Sequence, residues 1–178
     1  MIEQIRGCRK CGLCNNQRPL LQRIKTRPRV FFTGLSAVAS IETEDEPFSA
    51  ATRSGQLIRE IGEGLDCYYT NLVKCLPLKD GKLRYPTERE LEVCFGNFEL
   101  ELKTLNPGKV VLLGKQVSEF VADKLSLKFK RAKAGDLEFQ TARVEAVEYL
   151  SAYHPSYVLI YRRRQLDHYK RGIISFIK

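Results

Sequence analysis

The stretch KVVLLGKQVSEFVADKL, residues 109–125, decides the fold. Val110 to Leu113 form a continuous apolar run, the pattern of a parallel strand covered on both faces, and KQVSEFVADKL follows it as a helix. The same strand-then-helix order recurs on either side. VFFTG (30–34) precedes SGQLIREIGEGL (54–65), in which Leu57, Ile58, Ile61 and Leu65 fall on one helical face. CYYTNLVKC (67–75) reads as a second strand. PTERELEVCFGNFELELKTLNP (86–107) opens with Thr87 as an N-cap and Glu90 three residues on, and closes at Asn106-Pro107, which marks a long amphipathic helix. After an antiparallel-looking region, Phe129 to Thr141, VEAVEYLSAYHPS (144–156) ends in a last strand, and RRRQLDHYKRGIISFIK (162–178) closes the chain as a basic helix. This alternation predicts an α/β fold: a three-layer α/β/α sandwich around a central, mostly parallel four-stranded sheet. In such sheets ligands bind beyond the carboxyl ends of the strands. The candidates there are Gly34 to Ala37, Thr70-Asn71, Gly114 and His154-Pro155-Ser156.

A chain of 178 residues with 43% hydrophobic content supports one compact core, so residues 1–178 are expected to form one domain. Its apolar runs fall far short of the ~20 residues a bilayer span requires, and MIEQIRGCRK lacks the apolar core of a signal peptide. A cytoplasmic protein without a membrane partner is the expectation. The net charge of +9 is unevenly spread. Residues 1–34 hold eight Lys or Arg against one Glu, and residues 151–178 hold six against one Asp, which leaves the middle slightly acidic. Basic clusters gain affinity for nucleic acid by releasing counterions from phosphates; the bland alternative is that basic ends aid solubility.

Six cysteines in a reducing compartment point to metal rather than to disulfides. Cys8 and Cys11 form a C-x2-C pair in a basic, apolar-poor arm of about residues 1–27, Cys75 follows a strand, and Cys94 lies within the long helix. One pair and two separated singles are not the two facing pairs of a zinc ribbon. They suit an iron–sulfur cluster at least as well as zinc. Cys14 and Cys67 are left as spare thiols.

CRKCGLC, the strand ending at Gly34, EPF (46–48), SGQLI, YYTNLVKCLPL, PTERELEVC, KVVLLGKQV and HPSYVL together, in this order, resemble the iron–sulfur uracil-DNA glycosylases, notably the family 4 enzymes of bacteria and archaea. The resemblance runs from Cys8 to about Leu159. It implies a uracil-DNA glycosylase-like domain in which Cys8, Cys11, Cys75 and Cys94 ligate a structural [4Fe-4S] cluster. It further implies that Phe48 stacks on a flipped base, that Asn71 reads the Watson–Crick edge, and that His154 donates to the base O2 as charge develops there. Gly34, Leu35 and Ser36 would complete the base pocket. Ser156, Tyr157, Leu159, Arg162, Arg163 and Arg164 would form a loop that enters DNA. Elementary chemistry agrees with these roles: an amide can match the adjacent N3–H and O4 of uracil, and a neutral imidazole can stabilise a leaving uracil anion.

The first turn departs from the family 4 pattern G-E-x-P-G, because Leu35 stands where the acid is expected. It looks more like the family 5 turn G-L-A-P-A, whose acid sits just beyond the Phe, yet Ser49-Ala50-Ala51-Thr52 supplies none. Glu42, Glu44, Asp45 and Glu46 could provide an acid if their loop folds inward, and Ser36 or Thr52 could position water. The expected function is a monofunctional DNA-repair glycosylase, acting as a monomer on single-stranded or mismatched DNA carrying a deaminated base, uracil first. The alternative is a weak or inactive member that binds uracil-containing or damaged DNA.

Overall fold

The computed structural model describes residues 1–24, 26–39, 46–131 and 139–178. Its centre is a set of four parallel strands: β1 (Val30–Ser36), β2 (Cys67–Val73), β5 (Lys109–Leu113) and β8 (Val147–Ala152). Between them in sequence lie β3 (Leu78–Lys79) and β4 (Lys82–Leu83), which form a small separate hairpin, then β6 (Lys130–Arg131) and β7 (Gln140–Val144). The main sheet runs β2-β1-β5-β8-β7-β6.

The parallel part therefore has the four strands expected, but among the described residues the sheet has six. Beyond β8 the chain adds β7 and β6 in antiparallel pairing. The cause is local: Glu145-Ala146 is a tight turn with Glu145 at φ +53°, so β7 and β8 close as a hairpin.

Helices cover both faces. On one side lie α2 (Arg53–Ile61), α5 (Pro155–Tyr161) and α6 (Leu166–Ile177), which pack Leu57, Ile58, Ile61, Val158, Tyr169 and Ile173 against Phe32, Val111 and Leu150. On the other lie α3 (Glu88–Leu105) and α4 (Lys115–Leu125), whose Phe95, Phe98, Val117 and Val121 meet Phe31, Val110 and Leu112. Alternate residues of β1 thus serve opposite cores, as strand geometry requires. The capping box of α3 forms as the sequence predicts: the Glu90 amide donates to Thr87 Oγ1 at 3.3 Å, and the Thr87 amide donates to Glu90 Oε2 at 2.8 Å. The helix ends with Asn106 in the left-handed region, just before Pro107.

The N-terminal arm begins with α1 (Ile2–Arg6) and a 3-10 turn at Leu13–Asn15. Ile5 is fully buried, and the Leu20 amide donates to the Lys74 carbonyl at 2.8 Å just beyond β2. No helix among the described residues is long and apolar enough to cross a membrane.

Candidate active site

The four parallel strands end side by side, and each end supplies one part of a site. In register, Gly34 of β1 lies beside Asn71 of β2. Gly114 follows β5, and its amide donates to Ala152, the last residue of β8, at 2.8 Å. Gly114 has φ +116°, and a Cβ built there would lie 3.5 Å from the Cβ of His154, so the histidine sits directly over this strand end.

Gly34, Phe48 and Asn71 converge closely. A Cβ on Gly34 would overlap Asn71 Oδ1 and stand 2.8 Å from Phe48 Cζ. The missing side chain is what lets the amide and the ring edge share this space. Phe48 itself holds φ +54°, a conformation that costs a bulky residue on the order of 1–3 kcal/mol. Its neighbours enforce it. Arg59 Nε donates to the Phe48 carbonyl at 2.6 Å while the guanidinium lies 4.8 Å from the centre of the Tyr69 ring. Gly55 allows α2 to approach, since a Cβ there would overlap the Ser49 carbonyl oxygen. A phenyl ring that is strained and clamped from behind suits a site better than a core position would.

His154 caps the N-terminus of α5, with Pro155 as the first helical residue. Its Nδ1 accepts the Ser156 amide at 3.2 Å and lies 2.7 Å from Ser156 Oγ. With Nδ1 accepting, the neutral ring carries its proton on Nε2 and presents a donor. Burial lowers the imidazole pKa below its ordinary 6.5, which favours this neutral form.

The segment after His154, expected as a loop, is the helix α5, because a capping side chain followed by Pro at the first position starts a helix. Helical spacing sets what faces outward. Tyr157 is half exposed, Leu159 leans on the core, and Ile160 and Tyr161 project at 68% and 71% exposure. Tyr153, Tyr157 and Tyr161 form a ladder with ring centres 5.3 and 5.4 Å apart. Arg162, Arg163 and Arg164 follow on the surface.

The acid question also has a structural answer where residues are described. Leu35 packs toward the α3–α4 core. Glu46 accepts the Arg23 amide at 2.9 Å and pairs with Arg59 at 3.4 Å, in a cavity lined by Pro28 and Asp66, which lead into β1 and β2. That is the opposite end of the strands from Asn71. Glu42, Glu44 and Asp45 lie outside the described residues. The Thr52 hydroxyl is committed as the α2 cap, accepting the Gly55 amide at 3.0 Å and donating to Ser49 at 3.1 Å. Ser36, half-buried at the end of β1, keeps its place at the strand ends.

A second cluster lies beyond β2. Cys75 and Cys94 are buried with Leu13 and Val73, and Cys11 and Cys14 pack against them. Asn97 Nδ2 donates to both Cys8 Sγ at 3.6 Å and Cys94 Sγ at 3.7 Å. Burial raises the Cys75 thiol to about 12, and the nearby Cys94, Cys11, Cys14 and Cys8 push the same way. The arm and the domain thus bring five thiols into one pocket; Cys67 lies elsewhere, by Gly62. Among the described residues no three His, Cys, Asp or Glu side chains form a group able to hold a single metal ion.

These features coincide with a family match. The sequence matches the Uracil DNA glycosylase superfamily over residues 21–178, and the chain belongs to that superfamily of DNA-repair glycosylases. It is also similar to the Type-4 uracil-DNA glycosylase of Saccharolobus solfataricus, with 25% identity over 168 residues, 89% of this chain and 76% of that protein.

Several site features escaped the sequence reading. The Arg59 clamp and the glycine contacts depend on pairings that no local pattern encodes. Tyr157 and Tyr161 do carry a signal, since their four-residue spacing puts them on one helix face with Tyr153 just before the cap, but it is hidden while the segment is taken for a loop.

Proposed function

We propose that this protein is a monofunctional glycosylase that binds a flipped deaminated base, uracil first, and hydrolyses its N-glycosidic bond chiefly by stabilising the leaving group. The observation that carries the proposal is the convergence of Phe48 and Asn71 over Gly34, with His154, whose accepting Nδ1 leaves the proton on Nε2, over the end of β5, the strand beside β1. Phe48 stacks on the base, and the Asn71 amide matches N3–H and O4. As the C1′–N1 bond breaks, its electron pair passes to the base, and His154 donates to O2, where the charge collects. Water adds to the sugar C1′ and loses its proton to solvent. Ser36 orients that water, and no general base stands at Leu35. Tyr157, Ile160 and Tyr161 offer apolar and stacking surface to DNA, while Arg162, Arg163 and Arg164 meet phosphates. Single-stranded or mismatched DNA is favoured because its bases cost least to extrude.

Residues 1–178 act as one domain, a cytoplasmic monomer whose arm of about residues 1–27 is held by a [4Fe-4S] cluster. Cys8, Cys11, Cys75 and Cys94 are its ligands, and its contribution is structural. The donor set fits: the thiols share a half-dry pocket, Asn97 donates to two of the sulfurs, and a cluster spaces its ligands more widely than a single zinc ion does. Zinc remains the competing ion, and metal analysis of brown against colourless protein separates the two.

The test of function is single-turnover excision by excess protein on oligonucleotides carrying uracil, hypoxanthine or xanthine, compared with Asn71→Ala. A glycosylase loses excision in the variant. A protein that only binds DNA shows no excision in either form and changes only in binding.

A further inference from the structure

Lys74 has no part in the chemistry above, yet it is completely buried, and so is its partner Glu101. Its ammonium donates to Glu101 Oε2 at 2.6 Å, to Thr70 Oγ1 at 2.7 Å and to the main-chain carbonyl of Asn71 at 2.6 Å. Glu101 in turn accepts from Thr70 at 3.0 Å and from the Tyr68 hydroxyl at 3.0 Å. All three protons of the ammonium are used, so the pair is fully satisfied in a place where an unpaired charge is strongly destabilising.

The backbone of the same residue faces the other way. Its carbonyl accepts the Leu20 amide of the N-terminal arm at 2.8 Å, and the next residue in the chain, Cys75, is buried beside Cys94 in the thiol pocket. One residue therefore touches the base-reading strand with its side chain and the arm with its carbonyl, and leads directly into the thiol pocket through Cys75. Two apolar residues of similar volume in place of a buried ion pair are often neutral or stabilising. Stability alone does not require this pair, whereas fixing one carbonyl next to one amide side chain does require a directed donor.

We propose that Lys74, held by Glu101, is a positioning residue that sets the Asn71 amide for base reading and couples that setting to the thiol pocket and arm. The inference rests on the reading of Asn71 as the base-recognition residue. Its consequence is that the pair governs how tightly the base is gripped rather than how strongly the protein binds DNA.

The experiment uses the full chain with its native metal content. Lys74→Met alone leaves the Glu101 carboxylate buried and unpaired, which can unfold the domain, so the test variant is Lys74→Met with Glu101→Leu. Three quantities are read below the melting temperature of both proteins: inhibition of uracil excision by free uracil, single-turnover excision, and affinity for an abasic oligonucleotide. The expected result is a free-uracil inhibition constant raised about tenfold or more and excision slowed by a similar factor, with abasic-DNA affinity unchanged. With the metal still in place, limited proteolysis cuts the variant faster within the first 27 residues, because the residue-74 carbonyl that accepts the Leu20 amide no longer sits on a fixed segment. A folded double variant with wild-type free-uracil inhibition overturns the proposal. If the wild type excises no base and ignores free uracil, the glycosylase reading itself fails, a different outcome from wild-type activity that survives in the variant.

Discussion

Gly34→Ala is the most informative single change, because it adds one methyl group and nothing else. The backbone at Gly34 is not in the left-handed region, so alanine fits the strand. The new Cβ overlaps Asn71 Oδ1 and lies 2.8 Å from Phe48 Cζ. Ordinary carbon contacts are at 3.5–4.0 Å, so the ring edge must withdraw by about 0.7–1.2 Å, and the Asn71 amide must also turn aside. Both are ends of side chains, so the fold absorbs the change at about 1–3 kcal/mol, the usual cost of overpacking. Catalysis does not absorb it. Misplacing a reacting or recognising group by about 1 Å costs on the order of 100-fold, or about 2.7 kcal/mol of barrier. Single-turnover excision of uracil should therefore fall about 100-fold while the protein melts as a folded domain. A variant that excises at the parental rate refutes the convergence of Gly34, Phe48 and Asn71 on the base.

Three further outcomes are expected. Because burial lowers the His154 pKa below 6.5, its neutral donor form persists at pH 6.5 and is lost only as pH falls through that lowered value, where protonation of Nδ1 also breaks the Ser156 cap. The single-turnover pH profile should decline only on the acid side, with its midpoint below 6.5, and His154→Gln should remove that decline along with most of the rate. Cys94→Ser should lower the iron content, bleach the protein and speed proteolysis within the first 27 residues. Glu46→Gln should leave the excision rate unchanged, since Glu46 serves Arg59 and Arg23 away from the strand ends; a large loss would make Glu46 the missing acid.

The layer order was legible in the sequence because each parallel strand is a short apolar run and each covering helix shows its own face or cap; Val110 to Leu113 and the Thr87–Glu90 box are the clearest cases. The antiparallel extension was only partly legible, since β6 and β7 are short and polar and depend on the turn at Glu145. In the site, the residue types at the strand ends stood out, as Asn71 and His154 are polar groups at the ends of apolar strands. What holds them did not. Glu101 reads as one more exposed acid on an amphipathic helix, and only the fold brings it 2.6 Å from Lys74, 27 positions earlier. The strained φ of Phe48 likewise comes from Arg59 and Gly55, contacts set by the approach of α2.

Leaving-group stabilisation has to suffice at a site whose first turn carries Leu35 in place of an acid. Its most direct test is the release of free uracil from a single-stranded oligonucleotide by excess metal-loaded protein, measured beside His154→Ala. Free base should be released with the sugar-phosphate strand left intact, and that release should be lost in the variant. Retained DNA binding without release of uracil, hypoxanthine or xanthine by the wild type would contradict it and make this protein a reader of DNA rather than a glycosylase.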